Sequence, residues 1–150
     1  MTPITHIRPA RPEDLLAVGT LLDAAGLITS DLGPHVQLYV SYGDIGLVAV
    51  GGWGTCGEVA LLRSVDIAHA WRGRGLDVAW VASLMAAARE AGIGRFYLLT
   101  THAAGFFEKQ GFQIIARSEA PPAIGQTHEF RELCPATATC MTRTTDRSSV

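Results

Sequence analysis

Trp71-Arg72-Gly73-Arg74-Gly75-Leu76-Asp77 is the stretch whose reading decides the fold, and it runs straight on into a helical pattern. Leu76, Trp80, Leu84, Ala87 and Ala91 recur three or four residues apart, so they share one face of a helix. Gly92 and Gly94 stand where a helix C-terminus ends. Upstream, Val59 to Ala68 reads as a strand. The unit is therefore a strand, a basic glycine-bearing turn and a helix N-terminus. Such a unit favours anions. The first N–H groups of a helix lack internal partners, and the helix dipole adds partial positive charge there. Gly73 and Gly75 let the backbone approach a phosphate, while Arg72 and Arg74 add charge and forked donors. A ligand carrying a pyrophosphate suits this turn.

Working outward toward the N-terminus, Ile4 to Arg8 is expected as a short strand. Pro12-Glu13-Asp14 opens a helix, since proline suits a first turn and acids suit its positive end. Leu15, Val18, Leu22 and Ala25 form its buried stripe, and Gly26 ends it. Thr29 to His35 reads as a loop or one helical turn. Val36 to Tyr42 alternates as a strand does, and Ile45 to Trp53 reads as a buried strand. Gly54 to Gly57 turns the chain into the strand Val59 to Ala68, so three strands form an antiparallel meander.

Beyond the long helix, Arg95 to Thr101 is a strand, which implies a right-handed parallel crossover. Ala103 to Gln110 is a short helix with Gly111 at its left-handed cap, and Phe112 to Arg117 is a strand. A short helix is expected around Ile124 to Arg131 and a last strand from Pro135 to Arg143. Residues 1–143 make one domain, and 144–150 read as a polar tail.

The 150 residues suffice for one domain with a real core. Hydrophobic residues at 48% and charged residues at 17% exclude a disordered chain. A formal charge of −2 argues against nucleic acid as a partner. No apolar run reaches membrane-span length, and the first residues lack the pattern of a signal peptide. Cys56, Cys134 and Cys140 form no CxxC pair, which fits free thiols in a reducing cytoplasm. The five histidines show no ligand spacing, so no metal is expected.

The element order, with Arg72-Gly73-Arg74-Gly75-Leu76-Asp77 between strand and helix and Phe106-Phe107-Glu108-Lys109-Gln110-Gly111-Phe112 downstream, resembles the GCN5-related N-acetyltransferase (GNAT) superfamily. The resemblance runs from Ile4 to Arg143. From Val59 onward the text is similar to an arsenic-resistance N-acetyltransferase branch that neighbours the N-acetylglutamate synthases. Ala60-Leu61-Leu62-Arg63-Ser64, Tyr97-Leu98-Leu99-Thr100-Thr101 and Glu129 to Ala136 carry that second likeness.

The resemblance implies an α/β (α+β) fold. Its sheet is mixed and mostly antiparallel, with six to seven strands and about four flanking helices, splayed at the central parallel pair. It further implies acetyl-CoA as cosubstrate, a small-molecule amine as acceptor, direct attack on the thioester and, because the superfamily often dimerises, a homodimer. The backbone of Val65 and Ile67 would pair with the pantetheine arm as an added strand, and their N–H groups would stabilise the oxyanion. The pyrophosphate would sit on the N–H groups of Arg72, Gly73, Arg74, Gly75, Leu76 and Asp77. Thr100, Phe106 and Phe107 fall at coenzyme-contacting positions.

Three positions depart from the pattern. Asp77 replaces a small residue. Its carboxylate favours the helix N-terminus by about 0.3–1 kcal/mol but repels a pyrophosphate. Either Asp77 points to solvent and binding is only weakened, or tight coenzyme binding is lost and the chain is a non-catalytic module. Phe107 replaces a proton-donating tyrosine, which leaves the thiolate to water. Leu61 replaces a glutamate base, and Glu58 faces the other way by strand alternation.

Other candidates carry two readings each. Arg63 either forks onto a substrate carboxylate or makes an ion pair. Ser64 either donates a hydrogen bond in catalysis or lies on the far face. His102 either relays a proton or is a loop residue. Cys134 and Cys140 lie roughly 20 Å apart if both are on one strand, which favours buried thiols over an arsenic clamp. Tyr39 and Tyr42 either line the acceptor side or pack.

Overall fold

The computed structural model describes residues 7–27, 29, 35–44, 46–73, 75–127, 130 and 137–145. β1 (Arg8–Pro9) leads through a 3-10 turn at Pro12–Asp14 into α1 (Leu15–Ala24). β2 (Val36–Gly43), β3 (Gly46–Cys56) and β4 (Val59–Ile67) then form the expected antiparallel meander. A second 3-10 turn, His69–Trp71, precedes α2 (Leu76–Glu90). The chain continues with β5 (Arg95–Thr100), α3 (Ala104–Lys109), β6 (Gln113–Ile115), α4 (Pro122–Gly125) and β7 (Thr139–Thr144). Among the described residues the sheet has seven strands in the order β1-β2-β3-β4-β5-β7-β6. Its one parallel pair is β4 with β5. This is the mixed, mostly antiparallel α/β architecture that the resemblance implies.

The parallel pair is short. Val59, Ala60 and Leu61 pair with Arg95, Phe96 and Tyr97, and there the pairing stops. β4 runs on to Ile67 and β5 to Thr100, so the sheet is open between them. A bulge accompanies the parting. Gly52 pairs with Arg63 but Val50 pairs with Asp66, so Ser64 and Val65 together face Gly51. Ser64 has φ 61°, a left-handed conformation that no other described non-glycine residue adopts. A bulge bends its strand and increases the local twist, which turns β4 away from β5.

Gly51 and Gly52 make this geometry possible. A Cβ on Gly52 would overlap the Gln37 carbonyl oxygen and lie 2.9 Å from Leu38 Cα. A Cβ on Gly51 would lie 2.6 Å from the end of the Leu84 side chain. Here glycine is required by close approach, not by backbone angle.

The principal core lies between α2 and the sheet. Leu76, Trp80 and Leu84 are buried as their spacing predicts, but Ala87 is half-buried and Ala91 exposed. Val81, Met85 and Ala88 complete the buried face instead. The Trp80 indole N–H donates to the Val50 carbonyl beside the bulge at 2.8 Å. Leu61, which alternates with Leu62 along β4, belongs to a separate cluster with Ile124, Phe130 and Cys140.

Several boundaries differ from the sequence reading. β3 extends to Cys56, and the turn narrows to Gly57-Glu58. β6 is shorter than Phe112 to Arg117, because Phe112 is buried against Phe107 and Arg117 starts a 3-10 turn. A short helix, α4, starts at Pro122, where proline suits a first turn, and part of the stretch from Ile124 to Arg131 lies outside the described residues. Two residues past 143 belong to the sheet and its packing. Thr144 is in β7, and buried Thr145 donates its hydroxyl to the Ile93 carbonyl at 2.6 Å. Ile4 to His6, most of Thr29 to His35, Arg74, Cys134 and residues 146–150 lie outside the described residues.

At the N-terminal end the expected stripe is corrected as well. Val18 and Leu22 are buried, but Leu15 is 49% exposed. The preceding 3-10 turn changes the phase of the first turn, and Asp14 takes the inward position at 4% exposure. Its carboxylate pairs with Arg8 at 2.8 Å and accepts from the Arg11 N–H at 2.7 Å and the Tyr42 hydroxyl at 2.9 Å. Tyr39 stacks on Trp53 with ring centroids 5.0 Å apart, so both tyrosines have structural partners.

The Arg8 hydrogen bond holds the Asp14 carboxyl well below the usual range, helped by the Arg11 and Tyr42 donors and opposed by burial. A depressed folded-state value contributes stability above the unfolded value of about 3.9 and loses it as pH falls further. The melting temperature is therefore expected to drop more between pH 7 and pH 3 in the native chain than in Asp14→Asn. Thermal melts at the two pH values check this, and equal drops would contradict it.

Candidate functional site

A cavity of about 340 Å³ opens where β4 leaves β5. β4 contributes Val65, Asp66 and Ile67, and the following turn contributes Trp71, Arg72 and Gly73. α2 adds Leu76 and Asp77, and the start of α3 adds Ala103, Phe106 and Phe107. The walls are therefore mostly apolar, with one guanidinium and two carboxylates.

Backbone direction follows from the ladder. The Ala68 N–H donates to the Val48 carbonyl on β3 at 2.7 Å. Strand alternation then aims the N–H and C=O of Ile67 away from β3 and into the opening. The Ile67 carbonyl confirms this by accepting Arg72 Nε at 2.9 Å. Val65 lies in the bulge two residues before Ile67 and lines the same cavity. An extended ligand lying in the gap meets these groups as a missing strand would.

At the far end of the opening, Gly73 and Gly75 have φ of 77° and 74°, and a Cβ on either would meet nothing within 4 Å. The turn thus needs glycine for its backbone angles and leaves open space above it. Asp77 is exposed, and its Oδ1 accepts the Val78 N–H at 2.9 Å. One free donor of the helix N-terminus is consequently satisfied from within.

Asp66 was invisible to sequence reasoning. Its carboxylate receives Arg72 Nη2 at 3.2 and 3.3 Å. Burial pushes the carboxyl up, against the attraction of Arg72 and the Ile67 N–H that it accepts. Regular alternation from Val59 would have placed this side chain elsewhere. Only the bulge sets its direction, and no residue type announces a bulge.

No family model matches the sequence, and no curated protein does either. Solved structures do. N-acetylglutamate synthase from Neisseria gonorrhoeae, complexed with coenzyme A and N-acetyl-glutamate, superposes with a TM-score of 0.77 at 17% identity. The match covers 95% of this chain and 35% of that one, so the chain spans about a third of the synthase's length. A GNAT-family acetyltransferase from Staphylococcus aureus Mu50 matches at TM-score 0.75 and 13% identity, over 94% of this chain and 99% of that one.

The chain has the GNAT fold.

A Mycobacterium tuberculosis protein solved in complex with CoA shares this GNAT fold at TM-score 0.75 and 21% identity, over 93% of this chain and 98% of that one. On this GNAT fold, Val65, Ile67, Arg72, Gly73, Leu76, Asp77, Phe106 and Phe107 all line the one cavity. Gly75 caps α2 just beside it, and Arg74 lies outside the described residues.

The other candidates do not line the cavity. The Thr100 hydroxyl accepts the Ala103 N–H at 2.9 Å and the His102 N–H at 3.4 Å, so it closes the turn that leads into α3. His102 is exposed between β5 and α3. Arg63 is 7% exposed, two residues along β4 from Leu61 and just before the bulge. Its Nε donates to Ser64 Oγ at 3.3 Å. Phe107 packs edge-on against Phe106 and Phe112 and has no proton to give. Among the described residues, no cluster of His, Cys, Asp or Glu is placed to hold a metal, and no helix is long and apolar enough to cross a membrane.

Proposed function

We propose that the chain is an acetyl-CoA-dependent N-acetyltransferase for a small, amino-acid-like amine. The observation that carries this reading is the cleft-facing backbone of Ile67, set between a parted strand pair and a double-glycine turn. The residues present fit the coenzyme. Val65 and Ile67 offer backbone groups to an extended pantetheine arm, and the open turn from Arg72 to Asp77 suits a diphosphate. The binding of CoA by the Neisseria and Mycobacterium proteins of this fold supports the assignment.

When bound, acetyl-CoA supplies an acetyl thioester open to attack by an amine. The N–H groups of Val65 and Ile67 suit a developing oxyanion. Phe107 donates nothing, so the thiolate takes its proton from solvent, which a thiol of ordinary acidity tolerates near neutral pH. His102 at the end of β5 is the candidate relay, with Ser64 at the bulge a second polar group. Arg63 suits the acceptor's carboxylate, which is why an amino-acid-like amine is favoured. An arsenical acceptor and a homodimer rest on the sequence resemblance, and a cytoplasmic location on the unpaired cysteines.

One observation favours a second reading, a non-catalytic module with weakened or lost coenzyme binding. The Asp77 carboxylate stands at the turn and takes the Val78 N–H for itself. Calorimetry with acetyl-CoA and a thiol-release assay over an amine panel separate the two. The transferase reading expects binding and amine-dependent release. Silence at about 1 mM coenzyme would sink the transferase and leave a module that has lost the coenzyme. Binding without release would leave the module.

A further inference from the structure

Arg72 reaches into the cavity in a particular posture. Its Nε holds the Ile67 carbonyl, and its Nη2 spans both oxygens of Asp66 at 3.2 and 3.3 Å. Those two distances are long for a charge-assisted bond, which settles at about 2.7–2.9 Å. The Asp66 side chain is only 14% exposed, whereas that of Arg72 is 46% exposed. A fixed anion beneath the turn therefore holds, loosely, a cation that remains open to the cleft.

We infer that Asp66 is an internal counter-ion for Arg72, occupying the guanidinium that an incoming diphosphate must win, so that Asp66 restrains coenzyme affinity. The inference rests on the acetyl-CoA reading of the cavity. The exchange is chemically simple. Two weak N–H···O contacts to a carboxylate are replaced by contacts to phosphoryl oxygens, and no covalent bond changes. Arg72 also moves off the Ile67 carbonyl or shares it, which releases a backbone acceptor for the extended arm of the ligand. Asp66 is left partly buried beside Ile67 without its cation, and that loss is subtracted from the binding free energy. Every described charged side chain lining the cavity takes part: Asp66 and Arg72 as the pair, and Asp77 as a further negative charge at the same mouth.

The sign of the effect is testable. An Asp66 that competes for Arg72 predicts tighter binding when its charge is removed. An Asp66 that merely positions Arg72 predicts weaker binding. Acetyl-CoA titrations by calorimetry are expected to give Asp66→Asn a Kd about two- to fivefold lower than the native chain, the range of a partly exposed ion pair. Asp66→Ser should tighten in the same direction, which guards against a packing artefact of the amide. Two controls locate the effect. S-acetylpantetheine lacks the diphosphate, so its affinity should respond less to Asp66→Asn than that of acetyl-CoA. In an Arg72→Gln background the gain should vanish, since the coupling runs through the guanidinium.

Weaker or unchanged acetyl-CoA binding in Asp66→Asn overturns the inference. So does a gain that survives Arg72→Gln or is as large for S-acetylpantetheine, because that is a general field effect. If neither the native chain nor the variants bind acetyl-CoA, the coenzyme reading itself falls and takes the inference with it. That result is distinct from native binding that the variants fail to improve.

Discussion

Gly52→Ala is expected to destabilise the protein by at least about 3 kcal/mol, which lowers the melting temperature by roughly 10 °C for a domain of this size. The added Cβ overlaps the Gln37 carbonyl oxygen, with Leu38 Cα and the Gln37 carbonyl carbon at 2.9 and 3.0 Å. All of these are backbone atoms of the neighbouring strand. Leu38 is the ladder partner of Gly52, so relief requires β2 and β3 to part where they are paired. A ladder in mid-sheet has no soft coordinate for that.

Gly51→Ala is the internal comparison. Its nearest contact is the Leu84 Cδ1 methyl at 2.6 Å, the end of a side chain that can change rotamer. It should therefore be the milder substitution. Against a total stability of about 5–15 kcal/mol, the Gly52 change threatens expression as a folded protein. Urea or thermal unfolding measures both, and a Gly52→Ala melting within a few degrees of native would disprove the close approach. The glycine matters for function because it lies beside the bulge that turns β4 away from β5.

Asp77→Gly is expected to tighten acetyl-CoA binding about tenfold. Two effects act together. Removing the carboxylate deletes a negative charge at the glycine-turn end of the cavity. It also frees the Val78 N–H, now bonded to Asp77 Oδ1 at 2.9 Å, for the ligand. A hydrogen bond from that donor to a charged phosphate is worth about 1.5–3 kcal/mol, and solvent exposure reduces the net gain toward about 1.4 kcal/mol. The helix is expected to lose about 1 kcal/mol in exchange, through glycine's freedom and the missing acid at its positive end.

Asp77→Asn divides the two effects. It removes the charge but keeps an acceptor for the Val78 N–H, so its affinity should fall between native and Asp77→Gly. Calorimetry reads the affinity, and thermal melts read the lost stability. Equal affinity in all three would mean that the side chain stands clear of the ligand.

The site was legible in the sequence to the extent that it is made of local structure. The turn from Arg72 to Asp77 could be placed because glycine, arginine and the helix pattern report on their own few residues. The cavity does contain most of those positions. Thr100 illustrates the opposite case. Its position on the strand was foreseen, but its hydroxyl is spent on the Ala103 and His102 N–H groups at the entry to α3. Leu15 and Asp14 show the same difficulty at the other end. A 3-10 turn reversed which of them faces inward, and helical periodicity alone assumes a single phase throughout.

The sequence by itself determined the order of strands and helices, the mixed sheet and the glycine turn. Periodicity and glycine placement are short-range properties, and each segment carries its own. The tertiary structure alone decided where β4 leaves β5, how Ser64 and Val65 bulge against Gly51, and that Asp66 closes on Arg72 beneath the turn. Those features depend on register between strands that are distant in the chain. A one-residue bulge inverts the facing of every side chain after it, and this shift brought Asp66 to the cavity.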